Sequence, residues 1–200
     1  KFYEHGSVPA SVRARFVAEV DRITWAYKLA ESTINLQSSS EVPEIQVLVI
    51  KAKGSNVDDS VLSTIDRAIK QPVIFEIATA QGIRMAVTIK TGGSGGRYYS
   101  TQRSRDDDRV PLPASISLPN LYAALLEPML PIPVQAGEGL CDIADRLAAV
   151  SRLEREIAAL ERKLRAEPQL NRKVELRRTL LTQQDRLADL TDSTTMNTSN

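Results

Sequence analysis

The stretch from Glu44 to Lys90 constrains this chain more than any other, because it alternates two backbone periods within one short run. Ile45, Val47 and Val49 alternate with Gln46, Leu48 and Ile50, so both faces are apolar in the middle, as in a strand covered on two sides. Gly54, Ser55 and Asn56 interrupt it and offer a helix cap, and Asp58 and Asp59 suit a first turn. Leu62, Ile65 and Ile69 then recur at helical spacing, and Pro72 is expected to end that helix. Val73, Phe75 and Ile77 alternate with Ile74, Glu76 and Ala78 in a second strand. After a turn at Ala80, Gln81 and Gly82, Ile83, Met85, Val87 and Ile89 alternate with Arg84, Ala86, Thr88 and Lys90, which predicts a half-buried third strand. A strand–helix–strand unit crosses over right-handedly into parallel pairing. The short turn then makes the third strand antiparallel to the second. The fold class that follows is α+β, with a mixed β-sheet and covering helices.

The flanks are read against this centre. Pro9 suits a helix start with Ser7 as its cap, and Val12, Phe16, Val20, Ile23 and Tyr27 predict one helix reaching Ala30. Trp25 lies off that stripe and is expected at a flank. Thr33 to Gln37 reads as a short strand, and Tyr98 and Tyr99 as another. A short helix from about Asn120 to Leu126 fits between prolines. From Leu140 the texture changes: Ile143, Leu147, Val150, Leu153, Ile157, Leu160 and Leu164 follow steps of three and four, and Leu170, Val174, Leu176, Leu180, Leu187 and Leu190 follow after Pro168. That pattern predicts an antiparallel, coiled-coil-like hairpin. Near its tip Ile157, Leu160 and Leu164 should meet Leu170, Val174 and Leu180. The organisation expected is an α+β domain over 1–133, a hairpin over 140–191 and a disordered tail over 192–200.

Composition excludes more than it assigns. In 200 residues there are 26 Lys plus Arg against 25 Asp plus Glu, so bulk charge points to no polyanion. One cysteine, Cys141, rules out an internal disulfide and fits a reducing, cytoplasmic setting. No apolar run reaches membrane length and no secretory signal pattern is present. The chain opens on Lys1 rather than methionine, which leaves room for an upstream segment. His5 is the sole histidine, so any histidine triad or histidine metal site would have to recruit it. Cys141 has no evident base and reads as a small buried residue. Thr91 to Gly96 is glycine-rich but lacks the Gly-Lys-Ser/Thr ending that grips phosphate, so a plain turn is expected. Arg103 to Arg109 mixes both signs, and its consecutive aspartates diverge rather than converge on an ion. No cofactor and no resident metal are expected.

Two constellations remain. Glu44 and Gln46 share one face of the first strand, and Glu76 is expected on the matching face of its neighbour. This arrangement resembles a degraded PD-(D/E)XK nuclease centre, in which an acid and a Glu-x-Lys hold a divalent ion that activates water. Gln46 stands where that family has lysine, and Asn35 occupies the place of the preceding acid. The other constellation is basic. Arg162, Lys163, Arg165, Arg172, Lys173, Arg177 and Arg178 flank the hairpin turn, opposed between the first and last of them only by Glu167 and Glu175, a net of plus five. Such a patch can meet phosphate or an acidic protein surface, or simply solvate a coiled coil. No aromatic residue is interleaved, which disfavours single-strand stacking.

The runs RITWAYKLAESTINL, EVPEIQVLVIKAK and VLSTIDRAIKQPVIFEI, with the later GGRYYST, resemble the bacterial family called domain of unknown function 4391. Gln102 and Arg103 depart from the aromatic residue expected there. The resemblance covers most of Lys1 to Leu130. Members tend to be encoded beside helicases and DNA methyltransferases in phage-defence or restriction loci. The resemblance therefore implies a non-catalytic accessory or adaptor subunit docking such a partner, and carries over no catalytic residue. A metal-dependent nuclease built on Glu44, Gln46 and Glu76 is the competing expectation. A homo-oligomer through the hairpin is a further expectation.

Overall fold

The computed structural model describes residues 8–90, 96–105, 110–135 and 137–192. It divides into two compact units, Lys1–Pro131 and Ile132–Asn200. In the first, a helix α1 (Ala10–Glu19) leads into strand β1 (Val20–Ala30), a single helical turn α2 (Glu31–Ile34) and strand β2 (Glu44–Ala52). Helix α3 (Asp59–Ala68), strands β3 (Val73–Thr79), β4 (Gly82–Val87) and β5 (Tyr99–Ser100), and helix α4 (Leu118–Leu126) complete it. The sheet runs β1-β2-β3-β4-β5, with β2 and β3 parallel and the other pairs antiparallel. This is a mixed sheet in an α+β fold, with the strand–helix–strand unit at its centre.

Register assigns the two faces. Leu48 pairs with Phe75, Ile50 with Ile77, and Phe75 with Ala86, so these side chains share one face. They form a core with Val61, Leu62 and Ile65 of α3, with Ile69, and with Phe16 of α1. Tyr98 lays its ring against Phe75 at 6.2 Å between centroids. On the other face Ile45, Val47, Ile74 and Val87 are buried. Helix α4 contacts β2, and the 3-10 turn Glu127–Met129 contacts β4 and β5.

Several expectations are corrected. The helix predicted to reach Ala30 stops at Glu19, and Val20–Ala30 is an edge strand of the sheet. Val20, Ile23, Thr24, Trp25 and Tyr27 are β-branched or aromatic and suit a pleated surface. Register shifts at Val20/Arg22 and Trp25/Tyr27 insert an extra residue each, so the inward spacing stretches toward three and imitates a helix. Thr33 to Gln37 is not a strand: α2 ends at Asn35 in the left-handed conformation (φ 54), and Gln37 makes only an isolated bridge to Ser117. The third strand is not cleanly half-buried, since Ile83, Arg84 and Met85 are all intermediate and Ala86 and Val87 are both buried. It ends at Val87, short of Lys90. Val49 is intermediate rather than buried. The α3 helix closes at Ala68 with Ile69 as its cap, before Pro72 is reached.

In the second unit, α5 (Leu140–Ala166) and α6 (Leu170–Thr191) form a hairpin around Glu167, Pro168 and Gln169. Arg146 Nη1 donates to the Leu190 carbonyl at 3.1 Å, so the start of α5 lies beside the end of α6. Leu180 is buried in α6, with Leu176, Leu187 and Leu190 half-buried. Leu170 and Val174, expected against α5, are instead 75% and 63% exposed. They sit on a different face of α6 from Leu176 and Leu180, and only one face can meet α5.

Candidate functional site

The acidic constellation on the sheet is wired internally. Trp25 pairs with Leu48 and Lys28 with Gln46, which brings both residues of β1 beside the Glu44–Gln46 face of β2. The Trp25 indole N–H donates to Gln46 Oε1 at 2.5 Å. The Gln46 amide donates in turn to Glu44 Oε1. Glu44 Oε2 lies 2.6 Å from Lys28 Nζ. Gln46 is 2% exposed, so its amide is oriented and its polar ends are matched inside the protein. Both Glu44 carboxylate oxygens already have partners.

Glu76 does not join them. It pairs with Val49 in β2 and Met85 in β4, whereas Gln46 pairs with Val73. Neighbouring paired residues share a face and successive residues alternate. Glu76 therefore lies on the face opposite Glu44 and Gln46, and the expected convergence is corrected. Among the described residues no group of three or more His, Cys, Asp or Glu is placed to hold a metal ion. His5, most of the glycine loop at 91–95, and Asp106 to Arg109 lie outside the described residues. Cys141 is exposed, not buried as expected, because it sits on the outer side of the first turn of α5.

One polar cluster escaped the sequence reading. Lys90 Nζ donates to the carbonyls of Ile69 at 2.5 Å, Gln71 at 2.7 Å and Asp66 at 3.1 Å. It also lies 3.1 Å from Asp66 Oδ1. An ammonium at a helix C-terminus satisfies orphan carbonyls and meets the negative end of the dipole. Burial pushes the Asp66 carboxyl above its ordinary range, against the pull of Lys90 and Tyr98. Burial and the Asp66 charge push the Tyr98 hydroxyl up as well. The arrangement locks the end of α3. The signal for it in the sequence was Lys90 itself, a lysine just past the buried end of β4.

The basic constellation does assemble. Arg162, Lys163 and Arg165 close α5, and Arg172, Lys173, Arg177 and Arg178 open α6. All are exposed except Lys173, which is intermediate. None of the seven forms an ion pair within the described residues. Glu167 instead accepts from the Gln169 N–H at 3.0 Å and shapes the turn. A shallow cleft of about 520 Å³ opens here, with Lys163, Arg172, Glu175 and Leu176 on its walls. The tip thus presents unpaired cations at the edge of a concave surface, chemistry suited to carboxylates or phosphates.

Among the described residues no helix is long and apolar enough to cross a membrane. A family model described as "Domain of unknown function (DUF4391)" matches residues 1–187. No curated protein and no solved structure matches the chain.

Proposed function

The chain belongs to the DUF4391 family, and we propose that it acts as a non-catalytic accessory subunit that docks a larger DNA-processing protein. The observation that carries this reading is the hairpin tip, where seven basic side chains gather without acidic partners. Leaving like charges together costs the isolated chain some repulsion, which an acidic surface relieves on docking. The partner class, a helicase or methyltransferase in a bacterial defence or restriction system, is the one the family resemblance implies. Such a role is cytoplasmic. The nuclease alternative draws no support from the sheet, where Glu44 is engaged by Lys28 and Gln46 and Glu76 faces away.

Affinity purification from the native host, with mass spectrometry of the eluate, tests the reading. The intact chain should retain a helicase or methyltransferase, and Arg165→Glu with Arg172→Glu should lower that yield about tenfold or more, as expected for a loss of about 1.4 kcal/mol. Equal recovery with the reversed charges would remove the tip from docking. DNA cleavage by the purified chain with magnesium or manganese, lost in Glu44→Ala, would replace the adaptor with the nuclease.

A further inference from the structure

Helix α6 carries a second apolar stripe that its own hairpin leaves uncovered. Leu170, Val174 and Leu181 lie at spacings of four and seven, on one face, and are 75%, 63% and 53% exposed. The stripe is flanked by charges that change sign along the helix. Lys173, Arg177 and Arg178 lie beside it in the first half, and Asp185, Asp189 and Asp192 in or just after the second, while Arg172, Glu175 and Arg186 are turned away from it.

This order runs against the helix itself. The first turn of α6 holds no acid and its last turn no base. The macrodipole favours acids at the N-terminus and bases at the C-terminus. Helix α5 obeys that rule, with Asp142 in its first turn and Lys163 and Arg165 in its last. Nor does the hairpin fold compensate, because it places the basic end of α5 beside the basic start of α6. Residues 161–178 hold seven bases and three acids, a net of plus four. Residues 138–146 with 185–192 hold two bases and six acids, a net of minus four. The hairpin is therefore a long charge dipole with equal and opposite ends.

A surface of this kind is complementary to itself when reversed. We infer that α6 pairs with α6 of a second copy of this chain, antiparallel and about a two-fold axis near Leu181. Leu181 lies close to the midpoint of Leu170–Thr191, and the charge reversal between Arg178 and Asp185 is centred at the same place. Rotation about that axis sets Arg177 and Arg178 of each copy beside Asp185 of the other. It also sets Val174 of each copy near Ala188 and Asp189 of the other. Each contact occurs twice, as an isologous interface requires. Arg177, Arg178 and Asp185 have no ion-pair partner within the described residues, so all are available. Lys173, Arg177 and Arg178 belong to both surfaces, but the inference is argued from the apolar stripe and the sign reversal along α6 and does not rest on the docking role.

Sedimentation velocity of the full chain over a range of concentrations tests this. A reversible monomer–dimer equilibrium is expected, weakened by added salt. Leu181→Asp should give a monomer with unchanged helical circular dichroism. Arg178→Asp and Asp185→Arg should each weaken dimerisation about fivefold to tenfold, the sum of two symmetry-related surface pairs. The combined Arg178→Asp/Asp185→Arg variant should recover it, because the swapped charges meet again across the axis. A chain that stays monomeric at every concentration would overturn the inference and leave the stripe to a different protein. A dimer untouched by Leu181→Asp would place the contact elsewhere. Failure of the double swap to recover association would exclude the antiparallel register.

Discussion

Arg146 shows how one side chain can organise a whole segment. Its guanidinium binds Glu138 through two parallel contacts of 2.7 and 2.6 Å, and donates to the carbonyls of Pro133 at 2.6 Å and Leu190 at 3.1 Å. The side chains of Arg146 and Glu138 are only 10% and 7% exposed. Burial raises the Glu138 carboxyl, but Arg146 and the Gln135 N–H together outweigh it and hold Glu138 below its ordinary value of 4.5. A depressed carboxylate contributes stability that is present above its unfolded value and lost as pH falls through its folded value. Glu138→Gln should therefore cost about 3 kcal/mol at neutral pH, because it strands a buried guanidinium. It should also flatten the acid side of the stability profile below about pH 4.5. Denaturant titrations at several pH values check both; an unchanged acid slope would remove Glu138 from the linkage. Asp66 has the opposite sign: its raised value means stability falls as pH climbs through it. At this scale the sequence was least legible. Nothing in the order of residues says that Arg146 reaches Leu190, or that Trp25 grips Gln46.

Among the elements, α3 and β1 make the contrast. Helix α3 was readable because its signals are local, an apolar stripe behind acids, although its cap was expected at Gly54, Ser55 and Asn56 and lies instead at Asp58, which was expected in the first turn. Asp58 is its cap, accepting from the Ser60 N–H at 2.9 Å and the Ser60 hydroxyl at 2.6 Å, with Arg15 alongside. Those Ser60 contacts, then Arg15, hold the Asp58 carboxyl below its ordinary value. Asp58→Ala should lower stability by about 1 kcal/mol, the usual loss for a helix cap. Chemical denaturation measures it, and no change would mean that water serves α3 equally well. Strand β1 was misread because its evidence is not local. Its residues prefer extended backbone, but its two bulges break the alternation that marks a strand. Only its pairing with β2 reveals why the spacing is irregular. In α6 the leucine count was legible while the division into two faces was not, since Leu176 and Leu180 turn inward and Leu170, Val174 and Leu181 do not.

For the molecule as a whole, the relevant facts are two compact units and an uneven distribution of charge. The sheet unit buries Phe75, Ile77, Leu62, Ile65 and Ile50 completely, enough for a core of its own. Residues 1–131 alone should therefore unfold cooperatively, with the circular dichroism of a mixed α+β protein. A non-cooperative melt of that fragment would show that the second unit completes its core. The near-zero net charge of plus one conceals a hairpin with a basic end and an acidic end. Bulk composition therefore says little about what the surface attracts, because steering follows local charge.

From its residue order alone the chain determined the central strand–helix–strand–strand order, a short strand near Tyr98 and Tyr99 (found at Tyr99–Ser100), the α4 helix and the two-helix hairpin with its basic tip. These follow from period, breakers and charge, which are properties of neighbours along the chain. Tertiary structure decided which residues face each other: that Glu76 turns away from Glu44 and Gln46, that Lys90 closes α3, and that Val20–Ala30 is a strand. Those outcomes depend on register and on partners distant in sequence. A shift of one residue in a strand exchanges its faces, so no local pattern contains the answer.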